Sequence, residues 1–396
     1  MSNEDAAHIS EKINIAFFHI DGEFLGGGSK MLIRLLEDLD TDRFNPLLVV
    51  QSKGVTYKHL NEKDIEVVVI PYKGVLDTHN KGLLSKSPVR LSATSARILQ
   101  YNSETRRIFD ESDIIWCENL RVVLTLLPNI FLSSAKVIWN IGLGLESEGI
   151  FKYLNSAALR AVDRVFIESD KQAQRIFTNR QYQKYKSKSA SFHKGIDTTT
   201  FSPYIQHEGV SNGDFLVGTA ASLTPRKGLE FLIEGFAQFK DGKPEASLLI
   251  AGEAPENHNQ YKTKLETQIS NYNLENDIHF LGWVDDMPKF LSDLDVFVLS
   301  SLNEGVPGAV REALAMELPV IATDVGGTSE VVLNKETGIL IKPKDSEEIS
   351  KALNYIYNNS QEAEQMARNG RKHVVRNFST RSYVDNYEDL FIEIVS

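Results

Sequence analysis

Residues 295–332 read DVFVLSSLNEGVPGAVREALAMELPVIATDVGGTSEVV. An apolar run, Asp295–Ser300, leads into a loop and then into a segment at 307–317 whose apolar residues recur at helical spacing. A second apolar run, Pro319–Thr323, follows, ending on the pair Gly326–Gly327. Strand, helix and strand in close succession, with strands apolar throughout, suit a parallel sheet covered on both faces.

The same grammar extends in both directions. Strand candidates downstream of residue 206 are Phe215–Ala220, Ser247–Ala251, Ile278–Gly282 and Gly338–Ile341, with amphipathic segments at 228–240, 259–273 and 345–358. Upstream they are Ile13–Ile20, Leu47–Gln51, Glu66–Ile70, Asp113–Cys117, Lys136–Ile141 and Arg164–Glu168, and Met31, Leu32, Leu35, Leu36 and Leu39 mark a helix over 29–40. The fold class is therefore α/β, with two doubly wound domains in a chain of 396 residues. The polar, turn-rich stretch 202–213, SPYIQHEGVSNG, is the linker candidate. The expected domains are 1–205 and 206–378, with 379–396 a helix that packs back on the first.

Composition narrows the class. An apolar fraction of 42% and a charged fraction of 24% are those of a soluble globular protein. The single cysteine, Cys117, excludes an internal disulfide and follows an apolar run, as a buried small residue would. No export signal is visible, and the apolar stretch Val122–Leu132 is broken by Thr125, Pro128 and Asn129. The expected location is cytoplasmic. The net charge of −11 divides into +2 over residues 1–205 and −13 beyond them. Basic runs at 81–103 and 171–196 contain no acid, which suits anionic lipid, nucleic acid, phosphorylated substrates or an ordinary solvated face.

The chemistry concentrates in EGVPGAVRE, residues 304–312. Proline is favoured at the first helical position, so Pro307 is expected to start a helix running through Glu317. Val306 before it is a poor cap, which leaves the N–H groups of Gly308, Ala309 and Val310 to a ligand anion. Glu304 lies at the carboxyl end of a strand, where open α/β sheets bind ligands. Glu312 can reach ribose or sugar hydroxyls; spacing alone reads it equally as a solvated residue paired with Arg311. Two further loops after strands carry suitable residues. SLTPRKG, 222–228, offers Arg226 and Lys227 to a diphosphate. DGEFLGGG, 21–28, opens the backbone at Gly26, Gly27 and Gly28 without the spacing of a dinucleotide fingerprint.

Together these motifs resemble the retaining glycosyltransferases of the GT-B fold, specifically family 4. The glutamate–seven–glutamate pattern followed by PVIATDVGG carries the resemblance, with GGGSKML near the amino terminus and KGIDTTTFSP around Gly195, Asp197 and Phe201. The resemblance implies two Rossmann-like domains facing a cleft, a nucleotide-sugar donor in the second and most of the acceptor site in the first. It implies Glu304 near the donor sugar, Glu312 on the ribose, Arg226 and Lys227 on the diphosphate, and Gly305 and the amides of Gly308–Val310 around the donor. It places Gly26–Gly28 near the diphosphate or the acceptor, and it implies neither metal nor cofactor. Two departures stand out: Ser222 where many relatives have arginine, and Asn140 where many have histidine.

The implied reaction moves a sugar to an acceptor hydroxyl with the anomeric configuration kept, the departing phosphate oxygen taking the proton. The acceptor is expected to be a glycan, lipid-linked or other hydroxyl compound of the cell envelope, handled at the inner face of the membrane, with no nucleic acid involved. Competing classes are a GT-B-type epimerase or phosphorylase, a non-enzymatic two-domain sugar receptor, an NAD-dependent dehydrogenase, and a glycosidase using the two glutamates as acid and nucleophile.

Overall fold

The computed structural model describes residues 12–20, 27–63, 65–71, 88–141, 151–167, 173, 176–190, 192–205, 215–243, 245–255 and 259–396. They form two compact units, residues 1–192 with 383–396, and residues 193–382.

The first unit is built on a seven-stranded parallel sheet. Its strands are β1 (Ile13–His19), β2 (Phe44–Val50), β3 (Glu66–Val69), β4 (Ile114–Cys117), β5 (Lys136–Asn140), β6 (Arg164–Phe166) and β7 (Ser189–Ala190), in the order β3-β2-β1-β4-β5-β6-β7. β2 begins three residues before the expected Leu47 and includes Pro46. Its ladder to β3 starts only at Leu47, so at Pro46 the strand has a single neighbour and the missing N–H breaks no bond on the open side. One face is covered by Leu32, Leu35 and Leu36 of the helix Gly27–Asp38 and by Val384, Tyr387 and Phe391 of the terminal helix Thr380–Val395. The other face carries Leu126, Trp139, Ala158 and Tyr185.

The apolar stretch Val122–Leu132 lies in the helix Leu120–Leu132, with Pro128 inside it. The amide of Asn102 repairs the break. Its Oδ1 accepts from the Asn129 N–H (3.1 Å) and its Nδ2 donates to the Thr125 carbonyl (2.8 Å), the two groups that would otherwise pair. Among the described residues no helix is long and apolar enough to cross a membrane.

The second unit has six parallel strands, β8 (Phe215–Ala220), β9 (Ala246–Ala251), β10 (Ile278–Gly282), β11 (Val296–Leu299), β12 (Val320–Thr323) and β13 (Ile339–Ile341), in the order β10-β9-β8-β11-β12-β13. Leu232, Phe236 and Leu353 pack on one face; Val310, Leu314 and Val374 pack on the other. Residues 193–205 belong here: the Ile196 N–H donates to the Phe378 carbonyl (2.7 Å), and the Thr380 N–H to the Ile196 carbonyl (2.9 Å).

The helix expected from Pro307 to Glu317 is shorter at both ends. Pro307 is the N-cap, not the first helical residue: its φ of −70° fits a helix but its ψ of 116° is extended. The helix is Gly308–Ala315 and stops short of Glu317, which adopts a left-handed φ of 61°.

Candidate functional site

Three loops at the carboxyl edge of the second sheet interlock. After β8 the chain makes a 3₁₀ turn at Pro225–Lys227 and passes through Gly228 with φ 59°. A Cβ at Gly228 would sit 2.4 Å from the Ser300 carbonyl oxygen, so the turn presses on the loop after β11 only because this residue is glycine. Ser300 Oγ donates to the Lys227 carbonyl (2.9 Å), and the Leu302 N–H to the Arg226 carbonyl (2.8 Å).

This clamp brings the two cations onto the first acid. Lys227 Nζ lies 2.6 Å from Glu304 Oε1, and Arg226 Nη1 lies 3.3 Å from Oε2 while donating to the Asn303 carbonyl at 2.8 Å. Ser301 Oγ donates to Oε1 at 2.7 Å. Burial works against the charge on Glu304, but the hydrogen bonds from Lys227 and Ser301 and the charges of both cations outweigh it, holding the carboxyl below its ordinary value. Two cations on one carboxylate leave a local positive excess.

The loop after β12 supports this arrangement from behind. Gly326, with φ 59°, lies so close to the Glu304 carbonyl oxygen that a Cβ would be 1.9 Å from it. The Gly327 N–H donates to the Gly305 carbonyl (2.6 Å), and Thr323 Oγ1 to the Ser301 carbonyl (2.6 Å). In front, Pro307 gives the helix Gly308–Ala315 no side-chain cap. Among the described residues, a Cβ at Gly305 would meet nothing within 4 Å, and at Gly308 only Arg311 Nη2 at 3.9 Å. Neither residue is among those with positive φ, so the backbone does not demand glycine at either place. Open space therefore fronts the first N–H groups of a helix, at its positive end.

Glu312 has the opposite setting. Burial raises its pKa, offset only in part by the charge of Arg311. Arg311 is itself buried and donates through Nη1 to the Lys194 carbonyl. Among the described residues no hydrogen bond or ion pair reaches the Glu312 carboxylate, which is not the solvated partner of Arg311 that spacing alone allowed.

Residues 201–373, which contain Arg226, Lys227, Glu304 and Glu312, match the family model described as glycosyl transferases group 1. The chain is also 30% identical over 210 residues to the Escherichia coli UDP-Gal:alpha-D-GlcNAc-diphosphoundecaprenol alpha-1,3-galactosyltransferase, covering 51% of this chain and 53% of that one. It is 27% identical over 180 residues to the capsular polysaccharide biosynthesis glycosyltransferase CapM of Staphylococcus aureus, covering 46% of each. The chain spans about half the length of the curated relatives it matches. At the level of fold the match is complete. HepE of Anabaena, solved with UDP, aligns with a TM-score of 0.72 at 19% identity over 96% of this chain and 100% of its own. A glycosyltransferase from Rickettsia africae aligns with a TM-score of 0.77 at 19% identity over 98% and 99%. The chain has the GT-B fold of two Rossmann-like domains.

Of the other expected site residues, Gly26 lies outside the described residues, as do 206–213 of the linker and parts of both basic runs. Gly27 and Gly28 open the helix Gly27–Asp38 and belong to the first unit, whereas the Glu304 cluster belongs to the second. Ser222 is exposed beyond β8, and Asn140 ends β5. Sequence reasoning missed Ser301 and Thr323, which fix the Glu304 loop. The only signal was their place at strand ends.

Proposed function

We propose that the chain is a retaining, metal-independent glycosyltransferase of family 4 that moves a hexose from a nucleotide-diphosphate sugar to an acceptor hydroxyl. The observation that carries this reading is the contrast between the two glutamates. Glu304 is spoken for by Lys227, Arg226 and Ser301, whereas Glu312 is a half-buried carboxylate with no donor among the described residues, in a helix whose start is uncapped. A nucleotide-diphosphate sugar answers both needs: its ribose hydroxyls satisfy Glu312, and its diphosphate meets the amides of Gly308–Val310 and the positive excess of the Arg226–Lys227 pair. Gly305 and Gly308 leave room for that approach. Gly26–Gly28 are assigned to the same donor from the first unit's loop.

In the reaction the bond from the anomeric carbon to the β-phosphate oxygen breaks. The acceptor oxygen bonds to that carbon from the same face, and its proton passes to the departing phosphate. Lys227 and Arg226 stabilise the charge that builds on the leaving group, and Glu304 holds both cations in place and lies near the donor sugar. A glycosidase reading fails on Glu304, because a carboxylate held ionised between two cations is a poor acid and a masked nucleophile.

The first unit, residues 1–192 with 383–396, is assigned to the acceptor, and the second, residues 193–382, to the donor. The E. coli relative's name specifies UDP-galactose and a diphosphoundecaprenol-linked acceptor, and HepE was solved with UDP. UDP-sugars and a lipid-linked envelope glycan, handled at the cytoplasmic face of the membrane, are accordingly the first donor and acceptor to test; GDP-sugars come next.

The test is a thermal-shift panel of nucleoside diphosphates, followed by sugar release from the matching nucleotide sugar. One nucleoside diphosphate is expected to raise the melting temperature, and its sugar conjugate to release a sugar that is first formed in the donor's anomeric configuration. No shift with any member of the panel would refute the reading.

A further inference from the structure

The strand order of the first unit reverses between β1 and β4, so the carboxyl ends of these strands flank a switch point, where open α/β sheets place ligands. β1 ends on His19, which is 3% exposed. Its Nδ1 lies 2.9 Å from Oε2 of Glu118, the residue after β4, a charge-distance contact without hydrogen-bond alignment, and its Nε2 lies 3.3 Å from Thr56 Oγ1. The same Oε2 accepts the Ile20 N–H at 2.7 Å. The helix that follows is already capped, since Asn119 accepts the Val122 N–H, so Glu118 is not needed there. Its side chain remains 25% exposed, and among the described residues nothing donates to Oε1. A histidine buried behind a carboxylate costs stability that an apolar pair would not. Capping Ile20 explains Oε2 of Glu118 but not the histidine that fixes it.

We propose that Glu118 is a hydroxyl-binding residue of the acceptor site, taking adjacent hydroxyls of an uncharged sugar or polyol on Oε1. His19 is a positioning residue that holds the carboxylate in one rotamer. A fixed carboxylate repels phosphate, so the part of the acceptor recognised here is neutral. The assignment of this ligand as an acceptor rests on the glycosyltransferase reading above.

The test uses the full chain and three methyl glycosides as probes, those of glucose, galactose and mannose, titrated by saturation-transfer NMR. Sugar release from the nucleotide sugar by the unmodified chain reports separately on the glycosyltransferase reading. Glu118→Gln and His19→Leu are expected to weaken the best glycoside by about tenfold or more, while His19→Asn, which keeps an N–H near the Nδ1 position, stays within about threefold. Thermal unfolding of each variant shows that the unit is intact. The proposal is overturned if the unmodified chain binds none of the three glycosides, or if Glu118→Gln binds them as well as the unmodified chain does. It is also overturned if His19→Asn loses binding along with stability, which marks a purely structural pair. None of these results touches sugar release by the unmodified chain, so the two readings fail independently.

Discussion

Glu312 is a carboxylate whose burial is only partly offset by Arg311, and that has a consequence for stability. Its folded pKa is raised, so its contribution favours folding below the ordinary glutamate range and is lost as pH rises through the folded value. Near neutrality the ligand-free protein carries the cost of a buried charge. Glu312→Gln should therefore raise the melting temperature at neutral pH, with the gain vanishing in acid. The same change should weaken nucleoside diphosphate binding by about tenfold, because a ribose hydroxyl loses a charged acceptor. A scan of melting temperature against pH with a parallel titration separates the two effects, and a variant that is neither more stable nor weaker in binding would remove the ribose role. The two glutamates were legible in the sequence as a pair, because seven residues of turn and helix lie between them. Their contrast was not, because the cation that claims Glu304 most closely stands 77 residues upstream and arrives only through the fold.

At the scale of elements, the site depends on loops stacked on one another. Gly326 lies against the Glu304 carbonyl in a left-handed conformation, so Gly326→Ala must both strain its own backbone and push the EGVP loop away. The expected result is a loss of about 1–3 kcal/mol in the stability of the second unit together with weakened nucleotide binding. Chemical denaturation and titration of one preparation measure both, and an unchanged affinity would detach this loop from the site. Most strands were legible because fully buried parallel strands are apolar throughout. β2 was misjudged at Pro46, where propensity yields to an edge position. The helix Ser360–Phe378 escaped notice because half of the residues it buries are small, Ala363, Ala367 and Gly370, beside Met366, Val374 and Phe378 on an otherwise polar surface. The Pro307 boundary slipped by one residue because proline fixes φ and leaves ψ free.

At the scale of the molecule, the first unit is discontinuous in sequence, completed by residues 383–396. Phe391 is wholly buried and meets the rings of Phe17 and Phe44 edge-on at 6.1 and 5.9 Å. Phe391→Ala should cost this unit about 3–5 kcal/mol. Trp116 and Trp139 are buried in the first unit and Trp283 is exposed in the second, so fluorescence-detected unfolding reports mainly on the first. If that transition does not move, the terminal helix does not hold the first unit together.

The central claim is that the Arg226–Lys227 pair, held by Glu304, receives the diphosphate of a nucleotide sugar. Calorimetric titration of the nucleoside diphosphate selected by thermal shift into the unmodified chain and Lys227→Ala tests it most directly. The account predicts an affinity at least about tenfold lower for Lys227→Ala, with the fold retained by circular dichroism. Equal affinity in the two proteins would contradict it.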